Sequence, residues 1–455
     1  MEQMSVQDAA FLYVEDSVTP MHVGGAAIFE GPPPTHAELV ERFEAKLHLA
    51  PRYRQRVQIV PANLGLPLWV DDRHFNIDYH LRRSAVPSPG GRQELNNLVA
   101  RVMAQHLDRA RPLWEVWVVE GLDDGRWAIV SKVHHCMVDG VAATDLMAVL
   151  FDLDPNATLP DPPPWVPEPQ PRARDVATRA LTGMLSPVLQ ARLAANALGA
   201  PRRIAERGTE LLRAALPLAS KVRVLPASSL HGTYGPHRRW QSAQMDLDDV
   251  KAVRRAFGGT VNDAVLAFIA RGFRDLLAAR GEHLDVVRTF VPVSVRAEQE
   301  RGRLNNRVSA VFVDLPAGLG DPLARHDDIR RQMDGLKESK GAVAGERLVR
   351  MADFAPPTLA AMGTRLAARL PQRLIHTAAT NVPGPQVPLY FAGRRMLESS
   401  PLIPLLAGVR IAVGIFSYNG VVTFGVTGDY DTAPDIDVLC RGIVAGKDEL
   451  LALAP

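Results

Sequence analysis

The run Trp127-Ala-Ile-Val-Ser-Lys-Val-His134-His135-Cys136-Met137-Val138-Asp139-Gly140 decides how this chain is read. Residues 127–135 are apolar and β-branched enough to predict a strand. Successive side chains of a strand point to opposite faces, so only one of the two histidines can face a given cavity. Gly140 permits a sharp turn, and 141–150 then predicts a helix with Asp139 near its N-cap. Strand, turn and helix would hold His135 at a strand end. An imidazole there suits general base chemistry, because its ordinary pKa lies close to cellular pH. Asp139 could orient the turn, cap the helix or pair with an arginine, Arg296 being one candidate. The plain alternative is that both histidines are sheet residues and Asp139 only a cap, and for a bare His-His pair that alternative is preferred. His and Asp also ligate zinc, but no third ligand stands at recognisable spacing, so no metal is expected.

Working outward, Met21 to Phe29 predicts a second strand and His36 to His48 a helix, which makes the first half α/β in character. Of 36 prolines, 8 fall within the 17 residues Pro155 to Pro171, a run that excludes helix or central strand and predicts an extended connector. The organisation expected is an N-terminal domain over 1–154, a proline-rich linker and basic helical crossover over 155–240, and a C-terminal domain over 241–455. Between Pro171 and Trp240 the crossover carries 12 basic residues against 3 acidic. A solvated face explains that excess, and peripheral contact with an anionic membrane or lipid-droplet surface is the sharper alternative. In the second half, Thr260-Val-Asn-Asp263 has the capping-box pattern and opens a helix stopped by Gly281. Val286 to Val295 and Arg307 to Leu315 predict strands. Val409 to Tyr418 and Val421 to Val426 flank Asn419-Gly420, a strong hairpin signal. A closing helix is expected from Asp435 to Leu453.

The chain has 455 residues, with 52 Lys+Arg against 50 Asp+Glu. Domains commonly run to about 100–200 residues, so two or three units are expected, large enough to enclose a cleft. Near-zero net charge and the lack of a nucleic-acid motif exclude that class of partner. Cys136 and Cys440 stand far apart without CxxC spacing, which indicates neither a disulfide framework nor a thiolate zinc site. The N-terminal residues lack the basic and apolar regions of a secretory signal, and Leu402 to Phe416 is interrupted by Pro404 and Arg410, so a cytoplasmic protein without a spanning helix is expected.

His-His-x-x-x-Asp-Gly after a strand resembles the active-site signature of the CoA-dependent acyltransferase superfamily. That superfamily includes chloramphenicol acetyltransferase, carnitine acyltransferases and peptide-synthetase condensation domains. Around the signature, the chain resembles the bacterial wax ester synthase/diacylglycerol acyltransferase family along nearly its whole length. The supporting residues are Asp8-x-x-Phe11, Met21-His22-Val23-Gly24, Pro51-Arg-Tyr-Arg-Gln-Arg56 and Pro112-Leu-Trp-Glu115 before the histidines. After them come Gly235-Pro-His-Arg-Arg239, Asn262-Asp263, Pro292-Val-Ser-Val-Arg296, Asn381-Val-Pro-Gly-Pro385 and Ser417-Tyr-Asn-Gly420. His231 departs from the pattern, where Asn is expected before Gly232.

The resemblance implies an α/β (α+β) fold of two chloramphenicol-acetyltransferase-like sandwich domains with a substrate tunnel at their interface. It implies an acyl-CoA-dependent O-acyltransferase acting on diacylglycerol, a long-chain alcohol or both, with acyl-CoA as co-substrate and no further cofactor. His135 corresponds to the catalytic base, Asp139 to a residue shaping the site, Gly140 to the turn, and His134 to a structural residue. The base would take a proton from the acceptor hydroxyl and return it to the CoA thiolate without a covalent enzyme intermediate. No Gly-x-Ser-x-Gly elbow is present, consistent with that route. Asn262 is the family's candidate for the oxyanion, against a plain capping role. Trp114 either lines the acyl channel or is core, and Asn381 either meets substrate or fastens the domains. Two other readings are a carrier-bound thioester donor with a polyketide or peptide acceptor, and a silent lipid-surface protein.

Overall fold

The computed structural model describes residues 2–61, 65–137, 150–171, 176, 225–294, 308–338 and 374–455. Asp139, Gly140, Arg296, nearly all of the helix expected over 141–150 and most of the basic crossover lie outside the described residues. The first half runs β1 (Glu2–Gln3), α1 (Val6–Val14), β2 (His22–Phe29), α2 (His36–Lys46), β3 (Gln55–Gln58), β4 (Leu68–Asp71), α3 (Ile77–His80), β5 (Leu81–Ala85), α4 (Arg92–Ala104), β6 (Trp114–Glu120) and β7 (Trp127–His134). The second runs β8 (Arg238–Asp246), α5 (Leu247–Phe257), α6 (Val261–Ala279), β9 (Val287–Ser294), β10 (Val308–Leu315), α7 (Pro322–Glu338), β11 (Thr377–Pro383), β12 (Tyr390–Phe391), β13 (Arg394–Leu402), β14 (Ile411–Tyr418), β15 (Val421–Asp429) and α8 (Ile436–Ala452).

Local chemistry accounts for the sharpest boundaries. Thr35 and Thr260 each close a capping box, with Glu38 and Asp263 as reciprocal partners, so both helices start where the side-chain caps satisfy their orphan N–H groups. Asn419 and Gly420 adopt φ of 44° and 86°, the left-handed pair that a two-residue hairpin needs between β14 and β15. Residues 157–171 hold no helix or strand, as the prolines dictate.

Two six-stranded sheets form the frame. The first has the order β12-β13-β2-β7-β6-β5, the second β10-β9-β11-β14-β15-β8, and a three-stranded β1-β4-β3 sheet stands beside them. β13 comes from the C-terminal third yet pairs antiparallel with β2, from Leu402 opposite Gly24 to Met396 opposite Phe29. It also packs on β14 and β15, so one strand joins the two sheets.

The pleat sorts the first sheet into two cores. Ala26, Ile28, Ala128 and Val130 face α4 and its Leu95, Val99, Val102 and Met103. Ala27, Phe29, Trp127, Ile129 and Val133 face the other way, toward Leu12 of α1 and Leu39 and Phe43 of α2. Phe29 and Trp127 are fully buried and stack at 4.6 Å, and burial of one such ring stabilises the fold by about 1.5–3 kcal/mol. In the second half, α6 and α8 pack together over one face of the other sheet, burying Phe268, Ile269, Phe273, Leu439 and Ile443. α4 also packs on β8, where Asn96 donates to Gln241 Oε1 at 2.6 Å and ties the halves together.

Candidate active site

The strand expected over 127–135 ends one residue earlier. His135 N–H still donates to Met21 O at 2.7 Å, but Cys136 N–H turns back onto His134 Nδ1 at 3.1 Å, and a 3-10 turn over His135–Met137 replaces the ladder. A turn rather than a strand end therefore aims His135. The two imidazoles part as the pleat requires. His134 joins the α4 side and is 1 % exposed, whereas His135 joins the α1 side and is half-buried. The His135 ring stacks on Phe11 of α1 with centroids 3.8 Å apart and planes 16° from parallel. Burial pulls its pKa down from 6.5 to about 4, against a weaker upward pull from its own backbone, so the ring is neutral at cellular pH.

Behind the pair lies a buried polar group that the sequence did not announce. Glu15, just past α1, directs Oε1 toward His134 Nε2 at 3.5 Å, His22 Nε2 at 3.6 Å and His106 Nδ1 at 3.5 Å. Arg109 Nε donates to the other oxygen at 3.0 Å, and Met21 N–H donates to Oε1 at 3.2 Å. Burial alone would raise the Glu15 carboxyl, but His134 and then Arg109 outweigh it and hold the group far below the ordinary carboxylate range. Burial lowers His22 to about 3, with the neighbouring Lys132 charge acting in the same direction. Lys132 shares the His134 face of β7, is fully buried, and places Nζ 3.7 Å from Glu115 Oε2; burial lowers it to about 8. Phe11 and His22 fall inside quoted motifs, but as isolated letters they signalled no role. Glu15, His106 and Arg109 fall in none, and only the approach of the loop after α4 to the end of α1 assembles them.

Trp114 is 1 % exposed, donates Nε1–H to Tyr53 O at 2.8 Å and stacks on His80 at 4.4 Å. It is core, and it also forms one wall of a narrow apolar pocket with Phe43, Leu47, Tyr53, Val133 and Leu150. Val133 and His135 project from the same side of the chain, so this pocket lies on the His135 side of the sheet. Asn262 and Asn381 meet each other, with Asn381 Nδ2 donating to Asn262 Oδ1 at 3.3 Å between the start of α6 and β11. Neither hydrogen-bonds His135 among the described residues. Cys136 and Cys440 are buried free thiols, both pushed upward by burial. His231 pairs with Val409 in an isolated bridge.

This arrangement of two bridged sheets recurs among solved acyltransferase structures. Trichothecene 15-O-acetyltransferase from Fusarium sporotrichioides has it with a TM-score of 0.62 at 13% identity, over 100% of this chain and 95% of that one. Family models of the wax ester synthase/diacylglycerol acyltransferase catalytic domain and of the C-terminal domain of the same family match residues 4–265 and 304–450. A wax ester synthase/diacylglycerol acyltransferase from Marinobacter aquaeolei superposes with a TM-score of 0.69 at 26% identity, over 98% of each chain. A probable diacylglycerol O-acyltransferase of Mycobacterium tuberculosis is 36% identical over 100% of this chain and 96% of its own length. The chain belongs to the wax ester synthase/diacylglycerol acyltransferase family.

Proposed function

We propose that the protein transfers an acyl group from acyl-CoA to the hydroxyl of diacylglycerol, of a long-chain alcohol, or of both, forming triacylglycerol or wax ester with His135 as general base. The observation that carries this reading is the neutral, half-buried His135, held in a turn on the pocket side of the sheet within a chain whose full length resembles diacylglycerol acyltransferases. A neutral imidazole accepts the acceptor's hydroxyl proton as the oxygen attacks the thioester carbonyl. The tetrahedral intermediate then collapses with cleavage of the C–S bond, and the imidazolium protonates the departing thiolate. Its depressed pKa disfavours the imidazolium and makes that second transfer ready. The chain needs no nucleophile of its own, and acyl-CoA is co-substrate rather than cofactor. Asn262, with Oδ1 taken by Asn381, keeps its amide N–H groups as candidate oxyanion donors. Asp139 and Gly140, outside the described residues, take the site-shaping and turn roles that the resemblance implies for them, and Trp114 walls the space for the acyl chain. Both acceptor classes partition into lipid, so the acceptor would come from the inner membrane face or a lipid droplet. Among the described residues no helix is long and apolar enough to cross a membrane.

The test is thiol release from palmitoyl-CoA with diolein or hexadecanol as acceptor. Wild type should give acceptor-dependent release with ester product, His135→Ala should lower turnover about 10²–10⁴-fold, and His134→Ala, which removes the acceptor of Cys136 N–H but no reacting group, should lower it far less. Loss confined to His134→Ala would reverse the assignment of the two faces. Release only from an acyl carrier protein thioester would replace the donor.

A further inference from the structure

Two of the three imidazoles around Glu15 are turned the wrong way to donate to it. His22 Nδ1 stands 3.2 Å from Met103 O, which can only accept, so Nδ1 carries the proton and the buried Nε2 points a lone pair at Glu15 Oε1. His106 Nε2 lies 3.4 Å from Ser17 O, and a neutral ring that donates there presents the lone pair of Nδ1 to the same oxygen. His134 differs: Nδ1 accepts from Cys136 N–H, leaving Nε2–H to point at the carboxylate. With both rings neutral, two imidazole lone pairs and a carboxylate oxygen aimed at one spot repel each other unless a cation lies between them. At 1 % exposure, an imidazolium at His22 is a costly way to supply it.

We propose that Glu15 Oε1, His22 Nε2 and His106 Nδ1 bind a divalent transition-metal ion, with zinc the best match. The three ligand atoms lie within 4.8 Å of one another, and Oε1 is 3.5–3.6 Å from each nitrogen. A tetrahedral zinc with bonds of about 2.1 Å separates its ligand atoms by about 3.4 Å. Nitrogen and carboxylate ligands suit zinc over magnesium or calcium. Each imidazole is oriented by a backbone carbonyl on its outer nitrogen, the support that metal-ligating histidines use. Arg109 holds Glu15 by Oε2, and Oε1, which accepts from Met21 N–H at 3.2 Å, keeps a second lone pair for the ion. His106 is exposed, which provides an entry path and room for water at the fourth position. The ion would pin the end of α1, the start of β2 and the loop after α4 against His134, one residue from the turn that carries His135. Its role is structural, and it stands whether or not the proposed acyl transfer is correct.

The experiment is zinc and cobalt binding by full-length, tag-free protein stripped with chelator and checked for folding by circular dichroism. Wild type should take up one equivalent of zinc, and cobalt should give the visible absorption of a tetrahedral site. His106→Ala alters an exposed side chain and should fold, yet bind at least about tenfold more weakly. Folded wild type that takes up neither ion, or His106→Ala that binds as tightly as wild type, would sink the proposal. So would nitrogen-15 spectra showing His22 protonated on both nitrogens in zinc-saturated protein.

Discussion

At the scale of the residue, His135 differs from His134 through what each ring touches. Phe11 covers the His135 ring and keeps water from it, and that burial is why its pKa sits near 4 rather than 6.5. Only the neutral ring can accept a proton, so kcat/KM should fall as pH drops through the lowered value. Phe11→Ala admits water to the ring, and the acid limb of the pH–rate profile should move up toward 6.5, with activity at neutral pH changed less than activity at pH 5. An unmoved limb would mean that Phe11 does not set the basicity of His135. The alternation of strand side chains made it legible in the sequence that the two histidines part. Their neighbours were not legible, because Phe11 and Glu15 reach them by a chain reversal through Met21 that no local pattern encodes.

At the scale of the element, the second half shows how much a few residues prescribe. The Thr260-x-x-Asp263 pattern predicted the start of α6, and the structure has both reciprocal bonds: Thr260 Oγ1 accepts from Asp263 N–H at 3.2 Å, and Asp263 Oδ2 accepts from Thr260 N–H at 2.7 Å. Thr260→Ala removes one of them and should cost about 1 kcal/mol, read as a lower denaturant midpoint at unchanged slope. The strands expected at 286–295 and 307–315 appear as Val287–Ser294 and Val308–Leu315, and the closing helix as Ile436–Ala452. Such boundaries depend on caps, turn dihedrals and periodicity within a few residues. The strand expected through His135 overran because the acceptor that ends it, His134 Nδ1, is a side chain and carries no periodic signal.

At the scale of the whole molecule, the halves are held together by β13. The carbonyl of Pro401 accepts from Trp240 Nε1 at 3.1 Å and lies so close to Gly425 of β15 that a Cβ there would come within 1.8 Å of the oxygen. Gly425→Ala must push β13 off the second sheet. The expected loss is about 1–3 kcal/mol of stability, with a change in tryptophan fluorescence as Trp240 loses its acceptor, both followed by chemical denaturation. A variant as stable as wild type would show that β13 is not a close-packed joint between the sheets.

The sequence by itself determined the α/β class, the paired histidines at the end of a strand, the Asn419-Gly420 hairpin, the capped start of α6 and the family. These follow from backbone sterics, side-chain period and motifs that act over a few residues. Only the tertiary structure decided that residues 394–402 complete the N-terminal sheet, that Asn262 meets Asn381, and that Glu15, His22, His106 and His134 converge beneath the His135 turn. Strand order and side-chain convergence are settled by which long-range closure buries the most apolar surface while satisfying polar groups, a balance taken over the whole chain.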